Sequence, residues 1–325
     1  MLTQRVRNEM VTLNCIAELK KPAHVGFGTG KQVRDLRRKP FIPSIVLTTQ
    51  ISTLSLRLAK SVNRPAPSIK VSDGFLMGKE KIVKVRRQEF FQGQIAFQVQ
   101  VPEESLDIVL GALKLLQNFG IGANTSMGFG YCSIKVVGTS IGESEEVIRR
   151  FNPKAADLIG NGEFSLPSPF IRLAQKIFNK LKMNWSSWFK AMETGAIERI
   201  VYLAGETEIK NPFAYRGWLR GRLLELWGIE HDGRITVCPP RINPCKVCKL
   251  MGRMADKSRV IVRSFERKGN GASVWLIVDN PNEEELEALK EVARVRVVRV
   301  ETISNYLPSV STPVPASTLK FGQQL

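Results

Sequence analysis

Hydrophobic and polar residues follow the same order of spacings twice along this chain, once in each half. In the first half, alternating segments that are typical of strands enclose two segments with the spacing of amphipathic helices. The predicted elements, in the order β-α-β-β-α-β, are Val11–Leu19, Ile45–Val62, Lys79–Arg87, Gln94–Val101, Glu103–Phe119 and Tyr131–Val137. A tight turn at Gln92–Gly93 is expected between neighbouring strands. This order of elements is typical of the ferredoxin-like fold.

The second half repeats the order. Its predicted elements are Ile200–Ile209, Phe213–Gly228, Ser258–Phe265, Ser273–Asp279, Pro281–Val292 and Arg294–Thr302. Between the halves, Pro169–Leu181 and Trp185–Met192 have helical spacing. The pattern therefore predicts an α+β protein with two ferredoxin-like (RRM-like) modules. Their expected bounds are 1–138 and 196–304, with a helical connector at 139–195 and a flexible tail at 305–325.

The charge of the chain indicates what kind of partner it binds. Lys and Arg number 48 against 30 Asp and Glu, which gives a net charge of +18. Such a field attracts polyanions, so nucleic acid is the expected partner. An acidic membrane surface is the alternative, but no basic amphipathic helix supports it. The sequence also lacks a long apolar run and an apolar signal-peptide core, so we expect a cytoplasmic protein without a membrane segment.

A glycine-rich segment, Leu116–Ile134, separates the second predicted helix from the strand that follows. Its four glycines are Gly120, Gly122, Gly128 and Gly130. Glycine permits the positive φ of a sharp turn, and it lets backbone N–H groups approach a phosphate closely. The alternative is an ordinary helix-to-strand turn. The rhythm of the four glycines favours a specialised loop that contacts phosphate.

A basic loop, Lys31–Lys39, follows a second glycine-bearing segment that contains His24. The residues of this loop that we expect to contact phosphates are Lys31, Arg34, Arg37 and Arg38. Asp35 is the only acid in the loop. The alternative for the loop is a solvated charged face, and for His24 a packed structural residue.

Three cysteines and one of the two histidines lie close together in the second half: His231, Cys238, Cys245 and Cys248. Sulfur and imidazole ligands in this number suit tetrahedral Zn²⁺. Because all four positions would be occupied by protein, the predicted zinc site is structural. The alternative is free cysteines beside a surface histidine.

Four of these segments resemble motifs of one family. The glycine-rich segment is similar to the glycine loop of the RAMP superfamily of CRISPR–Cas proteins. PAHVGFGTG (Pro22–Gly30), followed by FIPS (Phe41–Ser44), resembles the opening of backbone subunits of type III effector complexes. CKVCKLMG (Cys245–Gly252) resembles the family's C-x-x-C-x-L-F-G segment, and AYRGWLRGRLLELWG (214–228) is similar to its G-S-S-L-R-G-x-L-R helix.

The resemblance implies an RNA-binding subunit of a type III CRISPR effector complex. Its partners would be crRNA and other effector subunits, with target RNA as a further candidate. Basic side chains and glycine-loop amides would hold crRNA phosphates, and Arg216, Arg220 and Arg222 would contribute from the second half. Family members often bear a comparable zinc finger.

Enzymatic activity is left open by the sequence. In family members that cut target RNA, an aspartate on the loop corresponding to Lys31–Lys39 acts with a divalent metal, so Asp35 with Mg²⁺ is the candidate here. We expect an RNA-binding subunit that does not itself cleave RNA. The alternative is a precursor-crRNA processing endoribonuclease, for which His24 is a candidate catalytic residue. A zinc-stabilised structural protein of another RNA–protein particle is a third alternative.

Overall fold

The structure is a computed structural model. It describes residues 10–26, 31–34, 39–85, 87–138, 198–231, 237–239, 243–253 and 257–308. The predicted connector helices Pro169–Leu181 and Trp185–Met192 lie outside these residues, as does most of the predicted tail. The chain divides into two compact units. Of the described residues, the first unit holds those up to 123, together with 129–138 and 304–308, and the second holds 124–128 and 198–303.

The first unit is an antiparallel sheet with two helices. Its elements are β1 (Met10–Leu19), β2 (Phe41–Ile42), α1 (Ser44–Ser61), β3 (Lys70–Val71), β4 (Gly74–Val85), β5 (Gln88–Pro102), α2 (Leu106–Phe119) and β6 (Cys132–Gly138). The strand order is β2-β4-β5-β1-β6, and β3 also pairs with β5. The two helices bury Ile51, Leu58, Val109 and Leu113, which supply much of the core of this unit.

The hairpin between β4 and β5 corrects one sequence prediction. The expected turn at Gln92–Gly93 is wrong, because β5 runs through both residues and Gly93 has a φ of 159°, which is extended backbone. The strands reverse instead between Val85 and Gln88. The register of the pair shifts between Met77 and Lys81, where Gly78 has a φ of +74°. Glycine marks a β-bulge there, because a bulge needs backbone that other residues rarely adopt.

The second unit is built from a four-stranded antiparallel sheet and three helices. Its elements are β7 (Arg199–Thr207), α3 (Pro212–Leu226), α4 (Lys246–Met251), β8 (Val260–Lys268), β9 (Gly271–Asp279), α5 (Glu283–Ala293) and β10 (Val295–Thr302). The strand order is β10-β7-β9-β8. Apolar residues of the strands and of all three helices form one buried cluster, which includes Leu203, Leu219, Leu250 and Leu289. The predicted α+β class with antiparallel sheets is confirmed in both units.

Side-chain caps fix where the longer helices of the second unit begin. The Asn211 carboxamide oxygen accepts from the N–H of Phe213 at 2.8 Å at the start of α3, where Pro212 occupies the first helical position. Asn282 and Glu285 form a reciprocal capping box at the start of α5. Asn280, directly before the predicted start at Pro281, has a φ of +47° and lies in the turn that precedes this cap.

No helix in the described part of the chain is long and apolar enough to cross a membrane.

Candidate functional site

The four predicted metal ligands lie together in the second unit. Their ligand atoms are all within 4.8 Å of one another. His231 Nε2 is 3.2 Å from Cys238 Sγ and 3.4 Å from Cys245 Sγ. Tetrahedral zinc, with Zn–S of about 2.3 Å and Zn–N of about 2.0 Å, separates its ligand atoms by roughly 3.5–3.8 Å. The cluster could therefore hold a metal such as zinc.

Backbone N–H groups surround the sulfurs of this cluster. Cys245 is the N-cap of α4, and its Sγ accepts from the N–H of Cys248 at 3.4 Å. The N–H of Cys245 points to Cys238 Sγ at 3.4 Å, and that of Cys238 to Cys248 Sγ at 3.2 Å. Each sulfur thus accepts a hydrogen bond that stabilises a thiolate, which is the form that binds metal.

The thiols differ in how readily they lose a proton. Burial raises the pKa of Cys238, but hydrogen bonds from Cys245 and Cys248 and the charge of Arg253 outweigh it, so its pKa lies below the ordinary value. Burial and the two neighbouring cysteines raise the pKa of Cys245 to about 11. A cation would relieve this mutual repulsion, because three thiolates cannot ionise together without a compensating charge. The donor set therefore fits zinc.

Arg216 and Arg220 of α3 lie beside this cluster. Arg216 donates to the Met251 carbonyl oxygen, to Ser258 Oγ at 3.1 Å and to the Val260 carbonyl oxygen at 3.3 Å. Arg220 donates to the carbonyl oxygens of Met251 and Gly252, and its Nη1 lies 3.8 Å from Cys248 Sγ. Sequence reasoning assigned both arginines to RNA and missed these contacts.

Arg222, the third predicted RNA contact on α3, is placed differently. Its side chain is exposed and its Nη1 lies 2.5 Å from Glu225 Oε2. An exposed ion pair of this kind exchanges readily for another anion, because it is worth little in water. Arg222 is therefore available to a phosphate in a way that Arg216 and Arg220 are not.

The four glycines of the glycine-rich segment donate their N–H groups to acceptors within the segment and to Gln50 and Pro22 outside it. Gly120, Gly122, Gly128 and Gly130 all have φ between +72° and +89°. The N–H of Gly120 donates to Leu116 O, that of Gly122 to Gln50 Oε1, that of Gly128 to Thr125 O, and that of Gly130 to Pro22 O. All four N–H groups therefore have acceptors in the protein. Phosphate binding by these amides stays a prediction that requires them to exchange partners.

His24 lies against the same loop. It is 4% exposed, its Nδ1 is 2.6 Å from the Glu89 carbonyl oxygen, and its ring packs against Phe90. Its carbonyl oxygen accepts from the N–H of Ala123 at 2.8 Å. This is the environment of a packed residue, which was one of the two alternatives from the sequence. A catalytic role for His24 stays a prediction.

The described part of the basic loop contacts one carboxylate. Glu89 Oε2 accepts from the N–H of Gln32 at 3.5 Å and from Arg34 Nη2 at 3.4 Å. Burial raises the pKa of Glu89, but these two donors outweigh it, so the pKa lies below its ordinary value. Lys31 is exposed. Asp35, Arg37 and Arg38 lie outside the described residues.

Comparisons with known proteins give only distant likenesses. No protein-family model matches the chain, and no curated protein does. The chain is similar, at 20% identity and a TM-score of 0.28 over 39% of its length and 75% of the other chain, to a structure of the Csm3-Csm4 subcomplex in the type III-A CRISPR-Cas interference complex.

Two further solved structures are similar over most of the chain. One is of the type III-B Cmr-beta complex bound to cognate target RNA and AMPPnP, at 9% identity and a TM-score of 0.32 over 88% of this chain and 98% of that one. The other is of the CRISPR associated protein Cas6, at 9% identity and a TM-score of 0.22 over 87% and 93%. Scores this low carry no argument about fold or function, so the proposals below rest on this chain alone.

Proposed function

We propose that the chain is an RNA-binding RAMP subunit that holds crRNA phosphates in a type III CRISPR effector complex. The observation that carries the proposal is a repeated topology. In both units the second, third, first and fourth long strands lie side by side, as β4-β5-β1-β6 and as β8-β9-β7-β10. All these neighbours are antiparallel, which is the order of a ferredoxin-like module. We propose that each unit is one such module.

The motifs that resemble the RAMP family occupy defined places in this topology. The glycine-rich loop joins α2 to β6, the last helix and last strand of the first module. The C-x-x-C segment opens α4, between the first helix and the second strand of the second module. Together with the net charge of +18, these placements support an RNA ligand and the family that the sequence resembles.

Side chains, rather than glycine amides, are the proposed phosphate contacts. The glycine N–H groups would have to give up their present acceptors. The side chains of Lys31 and Arg222 are exposed to solvent, where an ion pair is exchanged at little cost. Arg37 and Arg38 stay predictions from the sequence. Contacts of this kind position an RNA backbone without reading its bases.

A salt titration of RNA binding tests the proposal. For single strands, log K falls with log salt at a slope of about −0.7 per phosphate contacted. We expect a steep slope for repeat RNA and weaker binding to every sequence after Arg37→Ala with Arg38→Ala. Lys290→Ala is the control for the loss of a positive surface charge outside the basic loop, because Lys290 lies on α5 of the second unit. A flat salt dependence would refute the proposal.

The same preparation separates binding from cutting. Incubation with repeat RNA in the absence of metal gives discrete products within the repeat if the chain is a processing endoribonuclease. In the assembled complex with Mg²⁺ and matched target RNA, loss of one cleavage product in Asp35→Ala would assign catalysis to Asp35. We expect neither result, because the proposed role is binding alone.

We further propose that the Cys/His cluster holds one structural zinc. Its support is the mutual distance of the four ligand atoms and the N–H groups directed at the sulfurs. When bound, the metal would fix residues 231–248 against the rest of the second unit, and all four ligands would come from the protein. Metal analysis of chain purified without added zinc tests this proposal.

A further inference from the structure

We infer that Arg216 and Arg220 are positioning residues for the metal site and do not contact RNA. The inference rests on the proposed zinc and concerns two arginines of the helix that resembles a family motif. Arg216 and Arg220 are one helical turn apart on α3. The guanidinium groups of both donate to the Met251 carbonyl oxygen at the end of α4. This convergence places both guanidinium groups against α4, which contains Cys248 and has Cys245 as its N-cap.

The end of α4 needs such donors. The last carbonyl groups of any helix have no partner within the helix, and basic side chains can satisfy them. Here the acceptors are the carbonyl oxygens of Met251 and Gly252. A helix of six residues has little stability of its own, so contacts from outside decide its position.

Holding α4 also holds the ligands. Cys245 is the N-cap of this helix and Cys248 lies in its first turn, so a shift of the helix axis moves both sulfurs. Arg220 links a metal ligand directly to the C-terminal end of α4. Its Nη1 lies 3.8 Å from Cys248 Sγ, and its Nη2 donates to the Gly252 carbonyl oxygen. Contacts behind a metal ligand orient it and tune its affinity.

The charges favour the same assignment. Three thiolates and a neutral imidazole around Zn²⁺ carry one net negative charge. The acceptors of Arg216 named above are neutral groups. Burial, and to a smaller degree repulsion by the charge of Arg220, lowers the pKa of Arg216 to about 10. An anionic metal cluster beside Arg220 offsets this repulsion.

Hydrogen bonds within the protein hold the guanidinium groups of both arginines. Arg216 gives both Nη groups to protein acceptors, and so does Arg220. An RNA phosphate would have to draw these guanidinium groups away from the carbonyl oxygens at the end of α4, which would break the hydrogen bonds that hold the helix. Arg222, two residues further along, forms an exposed ion pair with Glu225, which costs little to exchange.

Replacement of Arg220 by methionine tests the inference, since methionine keeps an unbranched stem. The control is Arg267→Met, which removes the same charge from an exposed residue of β8 that donates to the Lys210 carbonyl oxygen. Zinc affinity is measured by competition with a chelator, and the Co²⁺-loaded protein reports thiolate ligation in its absorption spectrum. We expect Arg220→Met to lower zinc affinity by about 10–100-fold, the usual effect of losing a group behind a ligand. The control should match the unaltered chain.

The same variant is titrated with repeat RNA while loaded with zinc. We expect an unchanged salt slope, whereas loss of a phosphate contact would reduce it by about 0.7. Zinc affinity equal to that of Arg267→Met, or a reduced slope, would overturn the inference and leave the zinc proposal standing. A wild-type chain that holds no zinc would overturn both. Should Arg220→Met fail to fold, Arg220→Lys decides: affinity below the control supports the inference, and equal affinity overturns it.

Discussion

Replacing Gly130 with alanine tests whether the glycine loop serves the fold. Gly130 has a φ of +72°, its N–H donates to Pro22 O at 2.9 Å, and its carbonyl oxygen accepts from the N–H of Ile121 at 2.9 Å. A Cβ at this position would lie 1.9 Å from the Ile121 carbonyl oxygen and 2.8 Å from its carbonyl carbon. Backbone held by hydrogen bonds on both sides cannot turn away from such a contact.

Gly78 provides a matched control in the same unit. Its φ of +74° is almost the same, but a Cβ there would meet nothing within 4 Å. Left-handed backbone costs an L-residue about 1–2 kcal/mol, and alanine regains about 0.4–1 kcal/mol by restricting the unfolded chain. Gly78→Ala should therefore lower the free energy of unfolding by about 0–1.6 kcal/mol.

Gly130→Ala adds a steric clash to the same backbone strain. Overpacking of a filled site costs about 1–3 kcal/mol, so Gly130→Ala should be about 1–3 kcal/mol less stable than Gly78→Ala. Urea unfolding of both variants gives the difference, because the two sites report on one unit. If Gly130→Ala is no less stable than Gly78→Ala, the close approach to Ile121 is refuted. Loss of RNA affinity at unchanged stability would instead favour the phosphate cradle.

Three further outcomes are expected. Cys245→Ser should abolish stoichiometric zinc and lower stability by several kcal/mol, seen by metal analysis and thermal unfolding, because metal binding is coupled to folding of the loop. The pKa of Glu89 is lower in the folded than in the unfolded protein, so its contribution to stability is present above the unfolded pKa and is lost as pH falls through the folded value. Glu89→Gln should therefore flatten the acid side of a curve of unfolding free energy against pH. An unchanged acid side would contradict this. Asp73 accepts from the N–H of Ser44 at 2.5 Å at the start of α1, so Asp73→Ala should lower the denaturation midpoint by the equivalent of about 1 kcal/mol, whereas Asp73→Asn keeps an acceptor and should lose less.

The metal cluster could be predicted from the sequence more fully than the helix that holds it. The spacing of His231 and the three cysteines is visible in the chain, and their ligand atoms do converge. The helix α4 was not predicted, since six residues are too few to show a periodicity. Its existence depends on the cap of Cys245 and on donors from α3, which are distant in sequence.

The strand ends were predicted unevenly along the chain. β1 and β9 match their predicted bounds within one or two residues, and β9 lies between Gly269 and the pair Asn280–Pro281, which mark its ends in the sequence. β4 begins five residues before its predicted start at Lys79, and β5 continues through Gly93. Glycine was taken there as a turn signal, but a paired neighbour strand supplies hydrogen bonds that keep the backbone extended. Local pattern cannot distinguish a turn from a bulge when the deciding partner is remote.

Net charge and local contacts answer different questions about RNA binding. The total of +18 sets a long-range field that attracts RNA whichever residues touch it. A short-range contact needs a cation that can leave its present partner. Arg57 is 3% exposed, and Arg259 forks onto the Glu285 carboxylate at 2.8 and 3.0 Å. Such arginines raise the net charge of the chain but are unsuited to binding phosphate. Arg216 belongs to the same group. Substitution of exposed residues such as Arg222 should therefore change the salt slope, whereas substitution of the inward arginines should change stability first.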